Sequence, residues 1–297
     1  MGIELLTAAE AESLKAYINS AEHIIICCHK SPDGDAIGSS LAWADYLRTL
    51  GKTPEIIVPD AYPDFLQWMP GTERSIRYDK PSADKADPML ASADLVFCLD
   101  FNGTDRVDEM KDALEQSPAK KIMIDHHLDP RMDTVLTVSH PHMSSTSELV
   151  FRIIWQLGGF EEMSRKCAAC IYCGMMTDTG GFTYNSTRPE IFYIVSQLLT
   201  KGIDKDKIYR NVFNNFSPWA IRLRGYLMSQ KLNVFGDIHA SYFTISRRDM
   251  RDFHFIKGDA EGLVNEPLKI KGMRLSVSLR EDDRRDNTIW VSLRSVD

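Results

Sequence analysis

The segment His29–Gly38 reads HKSPDGDAIG and places Asp33 and Asp35 one residue apart, just downstream of a histidine. Three further stretches have a similar character. CLD ends at Asp100, KIMID ends at Asp125 and runs into His126 and His127, and TDTGGF carries Asp178 among glycines. Carboxylates and neutral imidazoles are ligands for divalent cations, and a mixed oxygen and nitrogen set suits manganese and, less well, magnesium. Aspartates can bridge two cations, and a cation pair can clamp both ends of an in-line phosphoryl displacement. Taken singly, each aspartate after a strand is ordinary turn chemistry, and a lone His29 is a polar residue at a strand end. An aspartate beside two adjacent histidines is harder to place without a function. Ligand-type residues at the ends of four separate segments are the pattern of an assembled site.

Elements able to bring such distant residues together can be read from the same sequence. HIIICCH (23–29), DLVFCLD (94–100) and KIMID (121–125) are continuous apolar runs, and EIIVP (55–59) is a shorter one. Runs of this length and β-branching predict strands buried on both faces, as in a parallel sheet. Helices are predicted over 4–18, 36–51, 145–159 and 164–176, with Ser145 and Glu148 forming a capping box and Asp178 following in a loop. The predicted fold class is α/β: a mostly parallel sheet with helices on both faces, a helical connector and a smaller α+β C-terminal domain. The boundaries are 1–186, 187–230 and 231–297, with 272–280 and 288–294 reading as a hairpin. In an open parallel sheet, side chains just beyond the strands' carboxyl ends converge, which is where these ligands lie.

Composition narrows the functional classes. The 297 residues carry 35 Lys and Arg against 42 Asp and Glu, a net charge of -7, which disfavours tight binding to long duplex DNA. No apolar stretch is long enough to span a bilayer, and the acidic amphipathic N-terminus is not a signal peptide. Six cysteines, two of them adjacent in an apolar run, suit reduced thiols and a cytoplasmic location. Cys167, Cys170 and Cys173 read as helix packing. His140 and His142 share one strand face and read as loop histidines. The mixed-sign stretches 247–252 and 282–287 read as solvated surface.

HKSPDGDAIGS, CLD, IDHH and GMMTDTGGF together resemble the four motifs of the Asp-His-His phosphoesterase superfamily, and SSTSELV (144–150) is similar to its bacterial oligoribonuclease and adenosine 3',5'-bisphosphate phosphatase subgroup. The resemblance covers residues 20–190. It implies metal ligands at His29, Asp33, Asp35, Asp100, His126 and Asp178, with two Mn2+ ions bound and Mg2+ as the substitute. It implies that His127 faces the substrate phosphate as proton or hydrogen-bond donor and that Asp125 orients His126. It further implies a substrate-binding C-terminal domain closing over the metals, with Arg294 as phosphate anchor. That domain's glycine-rich loop is not found up to Asp297, so the match to it is incomplete. Expected substrates are short single-stranded oligonucleotides and nucleoside bisphosphates. Rival readings are hydrolysis of pyrophosphate, polyphosphate or a cyclic dinucleotide, and an inactive nucleotide-binding module. Sheet edges make a homodimer an expectation.

Overall fold

The structure is a computed structural model that describes residues 2–79, 83–256, 258–283 and 285–296. Arg284, within the polar stretch 282–287, and Asp297 therefore lie outside the described residues. The chain forms two compact units, Met1–Val212 and Phe213–Asp297.

The first unit is built on six strands, β1 (Ile24–Cys27), β2 (Glu55–Val58), β3 (Ile76–Arg77), β4 (Leu95–Leu99), β5 (Lys120–Asp125) and β6 (Leu136–Ser139). Their order is β3-β2-β1-β4-β5-β6, and every pairing is parallel. Its helices are α1 (Ala8–Ser20), α2 (Gly34–Thr49), α3 (Ala83–Ser92), α4 (Lys111–Gln116), α5 (Thr146–Gln156), α6 (Arg165–Asp178), α7 (Pro189–Thr200) and α8 (Lys205–Phe213). Alternate strand residues point to opposite faces. Ile25, Cys27, Ile57, Val96 and Cys98 bury against Ala86 and Leu90 of α3 and Leu114 of α4. Phe97, between Val96 and Cys98, meets Trp43 of α2 edge-on, with ring centroids 5.2 Å apart. Helices thus cover both faces, as the unbroken apolar runs require.

α2 and α6 lie very close. A Cβ at Gly38 would fall 2.6 Å from the Cys170 carbonyl oxygen. All six cysteines are free and buried, and the three on α6 are packing residues. The helices between residues 187 and 230 divide, with α7 and most of α8 in the first unit and α9 (Pro218–Tyr226) in the second.

The second unit carries β7 (Asn233–Phe235), β8 (Ala240–Ile245), β9 (Leu275–Glu281) and β10 (Ile289–Ser295), with the short α10 (Arg247–Asp252). Its order is β10-β9-β8-β7, antiparallel except between β8 and β9. The hairpin read at 272–294 is the β9–β10 pair, with Ser292 opposite Ser278. Phe243, Ile245, Leu223, Leu227 and Leu263 form this unit's own core. The two mixed-sign stretches meet, Arg247 pairing with Asp286 at 2.6 Å. No helix among the described residues is long and apolar enough to cross a membrane.

Candidate metal centre

The sheet order reverses between β1 and β4, and in such sheets the crevice beyond the strands' carboxyl ends is the binding position. Asp33 and Asp35 follow β1 at the start of α2, Asp100 follows β4, and Asp125 ends β5 with His126 and His127 just beyond it. Asp178 is the last residue of α6. It belongs to the helix and not to the loop expected after it, because α6 continues through Thr177 before its C-cap at Thr179.

These residues meet. His126 Nε2 lies 3.2 Å from Asp178 Oδ2, 3.5 Å from Asp100 Oδ1 and 4.0 Å from Asp35 Oδ2. His29 Nε2 lies 3.4 Å from Asp100 Oδ2 and 3.9 Å from Asp33 Oδ1. Asp100 therefore offers one oxygen to each histidine. Three overlapping groups result: Asp100–His126–His127, His29–Asp33–Asp100 and Asp35–His126–Asp178. The six residues expected as ligands all fall within them.

The surroundings fix these side chains. His29 Nδ1 is 2.7 Å from the Lys30 carbonyl oxygen, and His126 Nδ1 is 3.3 Å from that of Met143. With each Nδ1–H donating to a carbonyl, each Nε2 faces carboxylate oxygens, donating to them when the ring is protonated and free to take a cation when it is neutral. Either a proton or a metal must sit between each Nε2 and those oxygens, and the mixed oxygen and nitrogen donor set fits divalent cations. Charge tells the same story. Burial and the neighbouring Asp100 and Asp33 push the Asp35 carboxyl well up, against hydrogen bonds from Ser147. Burial would also raise Asp100, but His29, His126 and His127 outweigh it and hold that carboxyl far below its usual range. Burial would lower His29, yet Asp100 and Asp33 lift it to about 9. Crowded acids pushed in opposite directions mark a site short of positive charge.

Helix ends carry part of this load. Asp33 caps α2, accepting from the amides of Asp35 and Ala36 at 2.9 and 3.0 Å. Asp35 receives the amides of Thr146 and Ser147 at the start of α5, at 2.6 and 2.8 Å, and the Thr146 hydroxyl donates to Asp100 Oδ1 at 2.9 Å. Such N-terminal amides have no partner within their own helix and favour a negative charge.

Two expectations differ from the geometry. Asp125 does not hold His126; its Oδ1 lies 2.7 Å from His127 Nδ1, because the Met143 carbonyl takes the His126 position. Asp125 Oδ2 is buried without a hydrogen-bond partner among the described residues. The capping box at α5 is half formed. Ser145 accepts from the Glu148 amide, but the Glu148 carboxylate turns to Ser144, Arg152 and Arg188. Met143, Thr146, Ser147 and Arg188 were not among the residues singled out from the sequence, and Glu148 was read there only as half of a helix cap. The sign of Thr146 and Ser147 was the small polar run opening SSTSELV. His140 and His142 stack on each other, ring centroids 5.7 Å apart, and join none of the three groups. Arg294 lies exposed on β10 of the second unit.

Fold and site together define a doubly wound α/β domain whose switch point carries a histidine–aspartate cluster able to hold divalent cations. The chain belongs to the DHH family, since the model for the DHH family N-terminal domain matches residues 23–175. Among curated proteins it is similar to the bifunctional oligoribonuclease and PAP phosphatase NrnA of Thermus thermophilus, 30% identical over 96% of this chain and 79% of the relative. The Bacillus subtilis protein of the same name is 26% identical over 94% of this chain and 83% of its own. Among solved structures, an exopolyphosphatase-related protein from Bacteroides fragilis superposes with a TM-score of 0.93 at 48% identity, covering 98% of this chain and 86% of that one.

Proposed function

We propose that this chain is a metal-dependent phosphoesterase that hydrolyses short oligonucleotides to 5'-mononucleotides and adenosine 3',5'-bisphosphate to AMP. The observation that carries this reading is the shared placement of Asp100 between His29 and His126, with His127 beside it and held by Asp125. Two relatives named for both activities over most of their length support the substrate class. His29, Asp33, Asp35, Asp100, His126 and Asp178 would hold the cations, manganese in preference to magnesium given two imidazoles among the carboxylates. When bound, such ions polarise phosphoryl oxygens and make water acidic enough to attack phosphorus near neutral pH.

The protein's own groups supply the rest. Asp125 accepts from His127 Nδ1–H, which leaves Nε2 for the substrate and stabilises a positive charge on the ring. His127 then donates its Nε2 proton to the leaving oxygen as charge develops there. The half-buried ring and the buried Asp125 limit competing water. Arg294 is the proposed phosphate contact of the second unit, supported by its exposed position. Six buried, unpaired thiols support a reducing compartment, here the cytoplasm.

A second reading is hydrolysis of polyphosphate, favoured by the likeness to an exopolyphosphatase-related protein at 48% identity, with pyrophosphate as the simplest inorganic analogue. One chromatographic assay separates them. Manganese-loaded protein is given adenosine 3',5'-bisphosphate, a 5'-phosphorylated diadenylate, pyrophosphate or polyphosphate, each with a chelator control. AMP released only without chelator is the expected result. Orthophosphate from the inorganic substrates alone would replace this reading with the second. Manganese bound without turnover of any substrate would leave a nucleotide-binding module.

A further inference from the structure

Glu148 is fully buried, yet it belongs to none of the three ligand groups. Its carboxylate is surrounded by donors. Arg152, one turn along the same helix, reaches Oε1 through Nε at 2.9 Å and Nη2 at 2.8 Å. Arg188, the N-cap of α7, forks its Nη2 to both oxygens at 3.0 and 2.8 Å. Ser144 donates its amide and hydroxyl to Oε2 at 2.8 and 2.6 Å. Capping α5 does not call for two arginines. A buried ion pair also adds little net stability compared with apolar packing of the same volume. What so many charge-assisted bonds provide is fixed geometry.

That geometry leads to the cluster. Residues 143–147 are held from behind by Glu148, through Ser144, and by Arg188 Nη1, which touches Met143 Sδ at 2.9 Å. From the other side of the same five residues, the Met143 carbonyl meets His126, the Thr146 and Ser147 amides meet Asp35, and the Thr146 hydroxyl meets Asp100. We propose that Glu148 and Arg188 are positioning residues. They clamp the 143–147 segment and thereby set His126, Asp35 and Asp100 at their mutual spacing. The inference rests on the reading of the cluster as a metal centre.

The test is Arg188→Met. Arg188 is partly exposed and its loss leaves Glu148 paired with Arg152, so the variant retains the buried pair. Free Mn2+ is titrated into the full chain and followed by its EPR signal. Affinity is expected to fall about tenfold or more, the effect of losing a group that orients a ligand, while the unfolding temperature in chelator stays within a few degrees of the wild type. Arg188→Lys, a point charge without the fork, should recover only part of the affinity. Glu148→Gln, which keeps the volume and one acceptor oxygen, should weaken Mn2+ as well.

A metal-free arm keeps the inference separate from the metal reading. Ring 15N resonances of His126, recorded in chelator, should shift in both Arg188→Met and Glu148→Gln. If wild-type protein takes up no Mn2+, the metal reading falls and the 15N comparison alone decides the clamp. Unchanged His126 resonances, or a lowered unfolding temperature with wild-type Mn2+ affinity, would overturn it.

Discussion

Asp100 has φ +66° immediately after β4. Left-handed backbone costs most residues roughly 1–2 kcal/mol, and aspartate and asparagine tolerate it better than others. Two demands therefore meet at one position: a carboxylate shared by two histidines and a side chain at ease with this backbone. They can be separated. Asp100→Asn and Asp100→Ala should both lose Mn2+ binding and hydrolysis, but in urea unfolding with chelator the alanine variant should be about 1 kcal/mol less stable than the asparagine. Equal stabilities would show that the backbone is not strained. Glu148 makes a different residue-scale prediction. Burial alone would raise its carboxyl, yet the Ser144 donors and the two arginines hold it below its usual value of 4.5. A carboxyl depressed in the folded state stabilises the protein above its unfolded pKa and loses that contribution as pH falls through the folded value. The stability gap between wild type and Glu148→Gln should therefore be widest above about pH 4.5 and shrink on further acidification, as read by urea unfolding across pH.

At the scale of elements, the centre depends on how closely α2, α5 and α6 approach. A methyl group at Gly38 would meet the Cys170 backbone at 2.6 Å, where no side chain can give way. Gly38→Ala should cost about 1–3 kcal/mol by overpacking. A Cβ at Gly174 would strike Ser147 and come within 2.8 Å of Asp35 Oδ1. Gly174→Ala should therefore weaken Mn2+ binding as well as stability, and parallel titrations of the two variants would show the difference. These contacts also explain which elements were legible in the sequence. β1, β4 and β5 are interior strands buried on both faces, so they appear as unbroken apolar runs with ligands at their ends. β3 and β6 went unread because they are edge strands of two and four residues without such runs. The clamp was illegible for another reason. Arg188 reaches Glu148 across 40 residues, and nothing local to either marks the pairing. Which histidine Asp125 would hold was likewise decided by a carbonyl from a distant turn. Side-chain partners at a loop are set by tertiary packing, which a local pattern does not contain.

For the whole molecule, a site assembled from β1, β4, β5, α2, α5 and α6 exists only when the first unit is folded. Binding to the folded state alone stabilises it by mass action, about 2.7 kcal/mol at a hundredfold excess of metal over Kd. Manganese should raise the unfolding temperature of the wild-type chain and leave Asp35→Ala unmoved, both measured against chelator. The same long-range construction has a consequence in time. Arg152, which holds Glu148, also donates to the carbonyls of Gly2 and Ile3, and Gln156 exchanges hydrogen bonds with Leu5 and Leu6. These partners are some 150 residues apart. A ribosome adding roughly 5–20 residues each second therefore takes on the order of ten seconds or more to make the second partner after the first. Residues 2–6 must therefore wait for α5 before these hydrogen bonds can form.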